Sequence, residues 1–204
     1  MKAYHKLRAR LVNYLIERAE RIQNERVRQP IPAGVGRMAL AELLPIGSVG
    51  IELGVAEGYF SDALLQHSRL KRLYSIDAWA DHHDSAEYLK AVRRLARHQT
   101  RSVVLRMYFD DALELFADAS IDFIYLDAYA HTGQEDGDLI EKWWPKLRSD
   151  GLFAGHDYDP KWPRTIQAVD TFCAAKGLEP KILPGARTGI HQDSYASWYV
   201  YKSD

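Results

Sequence analysis

Ser48-Val-Gly-Ile-Glu-Leu-Gly-Val-Ala-Glu-Gly-Tyr-Phe-Ser61 is the stretch that decides the fold. The run from Val49 to Leu53 is mostly apolar and strand-like, and it ends in a turn holding Gly54 and Gly58. From Tyr59 to His67 the apolar spacing becomes helical. Downstream, Tyr74-Ser-Ile-Asp-Ala-Trp79 is a second apolar run, tipped by Asp77. A strand, a glycine loop, a helix and a second strand ending in an acid form the unit with which an open α/β sheet holds an adenosine. In such a unit Asp77 bonds the ribose hydroxyls, and the glycines let the ligand approach the backbone.

The loop chemistry narrows the ligand. A dinucleotide site uses G-x-G-x-x-G to seat a pyrophosphate on a helix N-terminus. Here Tyr59 stands where the third glycine would fall, and Glu57 adds a charge that repels phosphate. Glu52 lies just before the first glycine. An acidic loop suits a cationic ligand without phosphates, such as the sulfonium of S-adenosylmethionine. A nicotinamide-dependent oxidoreductase shares the fold class and is the rival enzyme reading. A binding module that keeps the loop without chemistry is the other rival.

Beyond residue 36 strands and helices alternate, which predicts a doubly wound, mostly parallel sheet. Strands are expected near 48–54, 72–78, 102–108, 121–127, 152–157, 179–184 and 196–202. Helices are expected near 37–44, 58–68, 84–98, 110–117, 135–147 and 162–176. A length of 204 residues supports one α/β domain with a full core, and 47% hydrophobic with 27% charged residues is ordinary for a soluble protein. The domain is expected over 35–204, with a helical extension over 1–34. In that extension Leu7, Leu11, Leu15, Ala19 and Ile22 recur at helical spacing. Residues 1–28 hold eight Lys or Arg against three Glu, whereas the whole chain carries −1. The basic face reads as solvated charge, with a lid, a homodimer contact or an anion-binding face as alternatives. Few aromatic residues interleave with these charges, which argues against nucleic acid. The charged N-terminus and the lack of a long apolar run predict no signal peptide and no membrane span. With Cys173 the single cysteine, a cytoplasmic protein is expected.

Three blocks in order carry a family resemblance. They are Glu52-Leu-Gly-Val-Ala-Glu-Gly58, Ser75-Ile-Asp-Ala-Trp79, and Trp143-Trp-Pro-Lys-Leu147 followed by Gly151-Leu-Phe-Ala-Gly-His-Asp-Tyr158. The chain resembles the class I S-adenosylmethionine-dependent methyltransferases over residues 35–202, in a branch similar to metal-dependent O-methyltransferases of small molecules and sugars. It departs at Ala56, where many relatives have glycine. The resemblance implies a Rossmann-like sheet of seven strands, with the last inserted antiparallel beside the fifth. It implies cofactor contacts from Glu52, Gly54, Ala56, Gly58, Tyr59, Phe60, Asp77 and Trp79. It also implies contacts from Phe109, Asp110 and Asp111 after the third strand and Asp127 after the fourth. Phe109 would stack on the adenine and Asp111 would meet its amine, although an Asp at either position also caps a helix. Trp79 reads equally as packing.

Asp127, His131, His156 and Asp157 lie at the ends of strands four and five, which are neighbours in such a sheet. Buried charges must be paired or coordinated, so these four are expected to converge on the reacting methyl group. Two chemistries stay open. In one, Asp127, His156 and Asp157 bind Mg²⁺ or Mn²⁺, as the resemblance implies, although an acid is commoner than His156. In the other, His131 or His156 is a general base on the substrate hydroxyl and Asp127 or Asp157 orients it. The substrate is expected to be a hydroxylated small molecule, with Arg187 and His191 in a loop that walls it.

Overall fold

The computed structural model describes residues 14, 36–80, 83–186 and 194–203. The chain divides into Met1–Ile31 and Pro32–Asp204. The expected basic helix lies outside the described residues apart from Tyr14, as do Arg187 and His191. Everything below concerns the second unit.

Seven strands form one sheet in the order β3-β2-β1-β4-β5-β7-β6. They are β1 (Val49–Leu53), β2 (Arg72–Asp77), β3 (Ser102–Arg106), β4 (Ile121–Leu126), β5 (Leu147–Gly155), β6 (Lys181–Leu183) and β7 (Ser197–Tyr201). The first five run parallel, and β7 inserts antiparallel between β5 and β6, as the resemblance implied. The central strands are continuous apolar runs because both faces are covered by helices. Ile51, Leu53, Ile124, Leu126 and Phe153 are all buried to within 1% of complete, and they share one core with Ile140, Trp143, Val169 and Phe172 from the flanking helices.

The helices follow the sequence signals with instructive exceptions. A 3₁₀ turn, Gly36–Ala39, precedes α1 (Leu40–Leu43), and α2 (Tyr59–His67) opens from Gly58 in a left-handed conformation. Helix α3 (Ser85–Leu95) is capped by Asp84, whose carboxylate accepts the amides of Ala86 and Glu87. Helix α4 (Phe109–Leu113) is shorter than predicted, because the chain tightens into 3₁₀-type bonds at Leu115 and Phe116. The predicted helix over 135–147 is broken. Gly133–Asp136 is a turn of left-handed backbone, with φ of 57° at Gln134, 55° at Glu135 and 54° at Asp136. Gly137 ends it, α5 (Asp138–Trp143) follows, and Pro145 confines the rest to a 3₁₀ turn. Helix α6 (Pro163–Ala175) starts on proline, which suits a first helical turn.

Ala56, the departure noted in the glycine loop, has φ of 48°. A Cβ there meets the penalty that makes left-handed backbone rare outside glycine. Ala56→Gly therefore stabilises the fold by up to about 1 kcal/mol, net of glycine's larger unfolded-state entropy. The midpoint of urea unfolding measures this. A loss of stability would show that the loop does not need its left-handed turn.

Candidate active site

Hydrogen bonds that continue the strand ladders bring the motif residues to one edge. Gly54 N donates to Ile76 O at 3.0 Å, Asp127 N to Leu53 O at 2.8 Å and His156 N to Leu126 O at 2.8 Å. The ends of β1, β2, β4 and β5 are thereby aligned at the carboxyl edge of the sheet, where open α/β folds bind ligands. Gly54 is needed for this alignment: a Cβ at that position would lie 2.1 Å from the carbonyl oxygen of Asp127. A Cβ at Gly58 would instead meet α3, 3.3 Å from Ala91.

Asp77 organises the loop. One of its oxygens accepts the amides of Val55 at 2.9 Å and Ala56 at 3.1 Å, and the other accepts Trp79 N at 2.9 Å. A carboxylate offers about four lone-pair sites, so these three bonds leave room for a ribose hydroxyl. Trp79 itself is 1% exposed. Its indole donates to Ala56 O at 2.9 Å and its ring packs on Tyr88, Val55 and Ala91. Trp79 therefore braces the loop from beneath, and packing is its observed role.

At the ends of β4 and β5 a compact group forms. His156 Nδ1 lies 3.3 Å from an Asp127 oxygen and 3.2 Å from an Asp157 oxygen. The imidazole is fully buried, and neither of its nitrogens meets hydrogen-bond geometry with a partner. The ligand atoms of Asp127, His156 and Asp157 all fall within 4.8 Å of one another. Burial, the largest single influence, would lower the His156 pKa, but the negative charge of Asp127 and the contacts with the Asp127 and Asp157 carboxylates together outweigh it and push the group up to about 9. Burial would likewise raise Asp127; the facing imidazolium and Arg37 instead hold it below the usual carboxylate range.

Residues 51–158 match the model of a family described as a methyltransferase domain. The chain belongs to that family. No curated protein matches it by sequence. Among solved structures, it is similar to an O-methyltransferase from Bacillus cereus in complex with SAH, at 16% identity and a TM-score of 0.61 over 90% of each chain. It is similar to the O-methyltransferase TomG of Streptomyces achromogenes, involved in tomaymycin synthesis and solved with SAM. That match has 17% identity and a TM-score of 0.58 over 81% of this chain and 77% of the other. An rRNA methylase from Streptococcus thermophilus matches at 18% identity and a TM-score of 0.56, over 81% of this chain and 92% of that one. Identities this low establish the fold and leave the substrate open. Family and sheet order together make the chain a class I S-adenosylmethionine-dependent methyltransferase.

The methyltransferase places the remaining predicted residues unevenly. Glu52 is 1% exposed and faces away from solvent, accepting from Ser61 Oγ, which also contacts Ser75 Oγ at 2.7 Å. Burial raises its pKa to about 8, against the opposing bond from Ser61. Phe60 is buried on Tyr125, and Tyr59 lies under the Arg94 guanidinium. Phe109 meets Tyr129 edge to face across a cleft of about 310 Å³ that is also lined by Tyr108, Asp110 and Lys142. Asp110 is ion-paired to Lys142 at 3.0 Å, and Asp111 is exposed in the first turn of α4. His131 does not join Asp127, His156 and Asp157. It is exposed, with its ring edge-on to Trp162 at 4.4 Å. The expected four-residue convergence is therefore three: after β4 the chain passes through left-handed Tyr129, with φ of 56°, into a 3₁₀ turn, Ala130–Thr132, that holds His131. Among the described residues no helix is long and apolar enough to cross a membrane.

Sequence reading missed Arg37. From the 3₁₀ turn Gly36–Ala39 it reaches Asp127 Oδ2 at 2.7 Å, with its guanidinium 4.5 Å from the Phe60 ring centre and only 4% exposed. Removing one partner of a buried pair leaves the other uncompensated. Because Asp127 keeps its imidazole neighbour and is 22% exposed, the cost of Arg37→Met is discounted to roughly 2 kcal/mol. A double-mutant cycle with Asp127→Asn is expected to show a coupling of about 1–3 kcal/mol in urea unfolding. A coupling near zero would make Arg37 a packing residue.

Proposed function

We propose that the chain transfers the methyl group of S-adenosylmethionine to a hydroxyl of a small molecule. The observation that carries this reading is the Asp127, His156 and Asp157 group beside the Gly54 loop. Amines and carbon nucleophiles have less need of such a group. Asp77 binds a ribose hydroxyl with its remaining lone pair, and Phe109 and Asp111 meet the adenine. The sulfonium already activates the methyl, so the protein's task is to align oxygen, carbon and sulfur and to exclude water. As the oxygen–methyl bond forms, the methyl–sulfur bond breaks and leaves a neutral thioether. The hydroxyl proton passes to an oxygen of Asp127 or Asp157.

His156 is a poor base at neutral pH, since its neighbours keep it protonated. His131 lies outside the group. These two facts weigh against the histidine-base reading. The residues also fit a cation. A buried Nδ1 without a hydrogen bond faces two carboxylate oxygens at 3.2 and 3.3 Å. Ligands bonded at about 2.1 Å to one ion in adjacent positions lie roughly 3 Å apart. Asp127, His156 and Asp157 would hold the ion, and a nitrogen among oxygens tilts the choice from Mg²⁺ towards Mn²⁺. Bound there, it supplies a Lewis acid that lowers the pKa of the substrate hydroxyl. Binding requires loss of the His156 proton, so affinity rises with pH. Calorimetric titration with Mn²⁺ is expected to give one site in the native protein and none in Asp157→Ala. Equal heats from both proteins would contradict the cation reading and leave the carboxylates alone to take the proton.

A further inference from the structure

Glu52 is a buried ionisable group that the chemistry above leaves unused. It lies on β1, with Ser75 of β2 and Tyr125 of β4 as its partners in register. It is 1% exposed, and among the described residues it forms no ion pair. Its carboxyl accepts from one neutral hydroxyl, Ser61 Oγ of α2, which is shared with Ser75 Oγ at 2.7 Å. A carboxylate taken out of water needs a cation or several strong donors. The other acids at this edge have them. Asp77 accepts three backbone amides, and Asp127 has Arg37 at 2.7 Å and His156 at 3.3 Å.

The charged groups that act on Glu52 come from three sides. Asp77 at the end of β2 and Asp127 beyond β4 oppose a further negative charge, and Arg37 from the Gly36–Ala39 turn favours one. Arg37 is already bonded to Asp127, so its charge is largely spent there. Burial, the largest influence, decides the balance and raises the Glu52 pKa to about 8. In the empty protein the carboxyl therefore keeps most of its proton at pH 7.

The cofactor changes that balance. S-adenosylmethionine brings a sulfonium and an ammonium and no phosphate. Glu52 stands two residues before Gly54, whose loop receives it. In a water-excluded setting a charge acts over several ångströms, so no direct contact is required. A cation brought to this edge favours the carboxylate over the carboxyl.

We propose that loading of the cofactor drives a proton off Glu52, so that this buried carboxyl becomes the counter-charge of the bound cation. This rests on the assignment of the Gly54 loop to S-adenosylmethionine. The step balances simply. The O–H bond of Glu52 breaks, its electron pair stays on the carboxylate oxygen, and the proton passes to the solvent. The loaded state then holds fewer protons than the empty one, so binding strengthens as pH rises. The negative charge exists in the interior only while its partner is there.

The test is calorimetric titration with S-adenosylmethionine at pH 7 in buffers of different ionisation enthalpy, which counts the protons exchanged. The native protein is expected to release about 0.5–0.9 proton per cofactor, and Glu52→Gln and Glu52→Leu less than about 0.2. Two variants are used so that a failure of one to fold leaves the other to decide. S-adenosylhomocysteine keeps the ammonium and lacks the sulfonium. Release with both ligands assigns the cation to the ammonium, and release with S-adenosylmethionine alone assigns it to the sulfonium. The proposal is overturned if the native protein binds without releasing a proton. It is also overturned if the release persists in the Glu52 variants, which would place its source elsewhere, as at His156. Binding of neither ligand is a different result: it removes the cofactor assignment, and the proposal falls with it.

Discussion

Glu52→Gln is expected to make the protein markedly more stable at neutral and alkaline pH, while leaving it close to wild type in acid. Glu52 is buried on strand β1, and its carboxyl has been moved from an ordinary 4.5 to about 8, chiefly by burial. A group whose folded pKa is raised contributes its full stability below the unfolded value and loses it as pH rises through the folded one. The wild-type protein therefore becomes less stable from about pH 4.5 to about pH 8, because the unfolded chain ionises Glu52 freely and the folded chain does not. Glutamine has no charge to lose, and its amide can still donate to Ser61 Oγ. A shift of this size is worth on the order of 5 kcal/mol at its plateau. Urea unfolding of both proteins at pH 4.5, 7 and 9 reads the difference directly. Equal stabilities at pH 9 would mean that Glu52 ionises inside the fold without penalty, with water or a cation beside it.

Asp77→Ala is expected to abolish cofactor binding, whereas Asp127→Ala spares it. Asp77 holds the amides of Val55, Ala56 and Trp79 and so gives the loop its shape before any ligand arrives. Its removal takes away the ribose contact and leaves three amides to find other partners. A bond to a charged acceptor is worth about 1.5–3 kcal/mol, so loss of the one ribose bond alone weakens S-adenosylhomocysteine binding by roughly ten- to a hundredfold, and the loss of the loop's shape adds to it. Asp127 lies beyond the loop, where the methyl group is received, and its loss falls on the reaction. Loss of binding in both variants would place the cofactor across the ends of β4 and β5 instead. Retention in both would move the ribose away from Asp77.

Much of this architecture is legible in the chain because it is local. The apolar run from Val49 to Leu53, the left-handed glycines and the acid two strands' length away are all written in short windows. The strand order then follows from the family's topology, and it brings Asp127 and His156 together without further information. What the sequence hides is long-range or left-handed. Arg37 meets Asp127 across 90 positions, and nothing in Gly36-Arg-Met-Ala39 marks the arginine as buried. Gln134, Glu135 and Asp136 have helix-compatible side chains, so their left-handed backbone can be inferred only weakly, from Gly133 and Gly137 on either side. His131 lies just before them, in the 3₁₀ turn Ala130–Thr132, outside the group it was expected to join. Trp79 followed an acid at a strand end, which is where a ligand contact sits. The bond from its indole to Ala56 O turned it inward instead.

The most direct test of the account is calorimetric titration of the native protein with S-adenosylhomocysteine, with NAD as the control. The account predicts one site of micromolar affinity for S-adenosylhomocysteine and no heat from NAD. Binding of NAD, or no heat from S-adenosylhomocysteine, would contradict the assignment of the Gly54 loop and Asp77 to that cofactor.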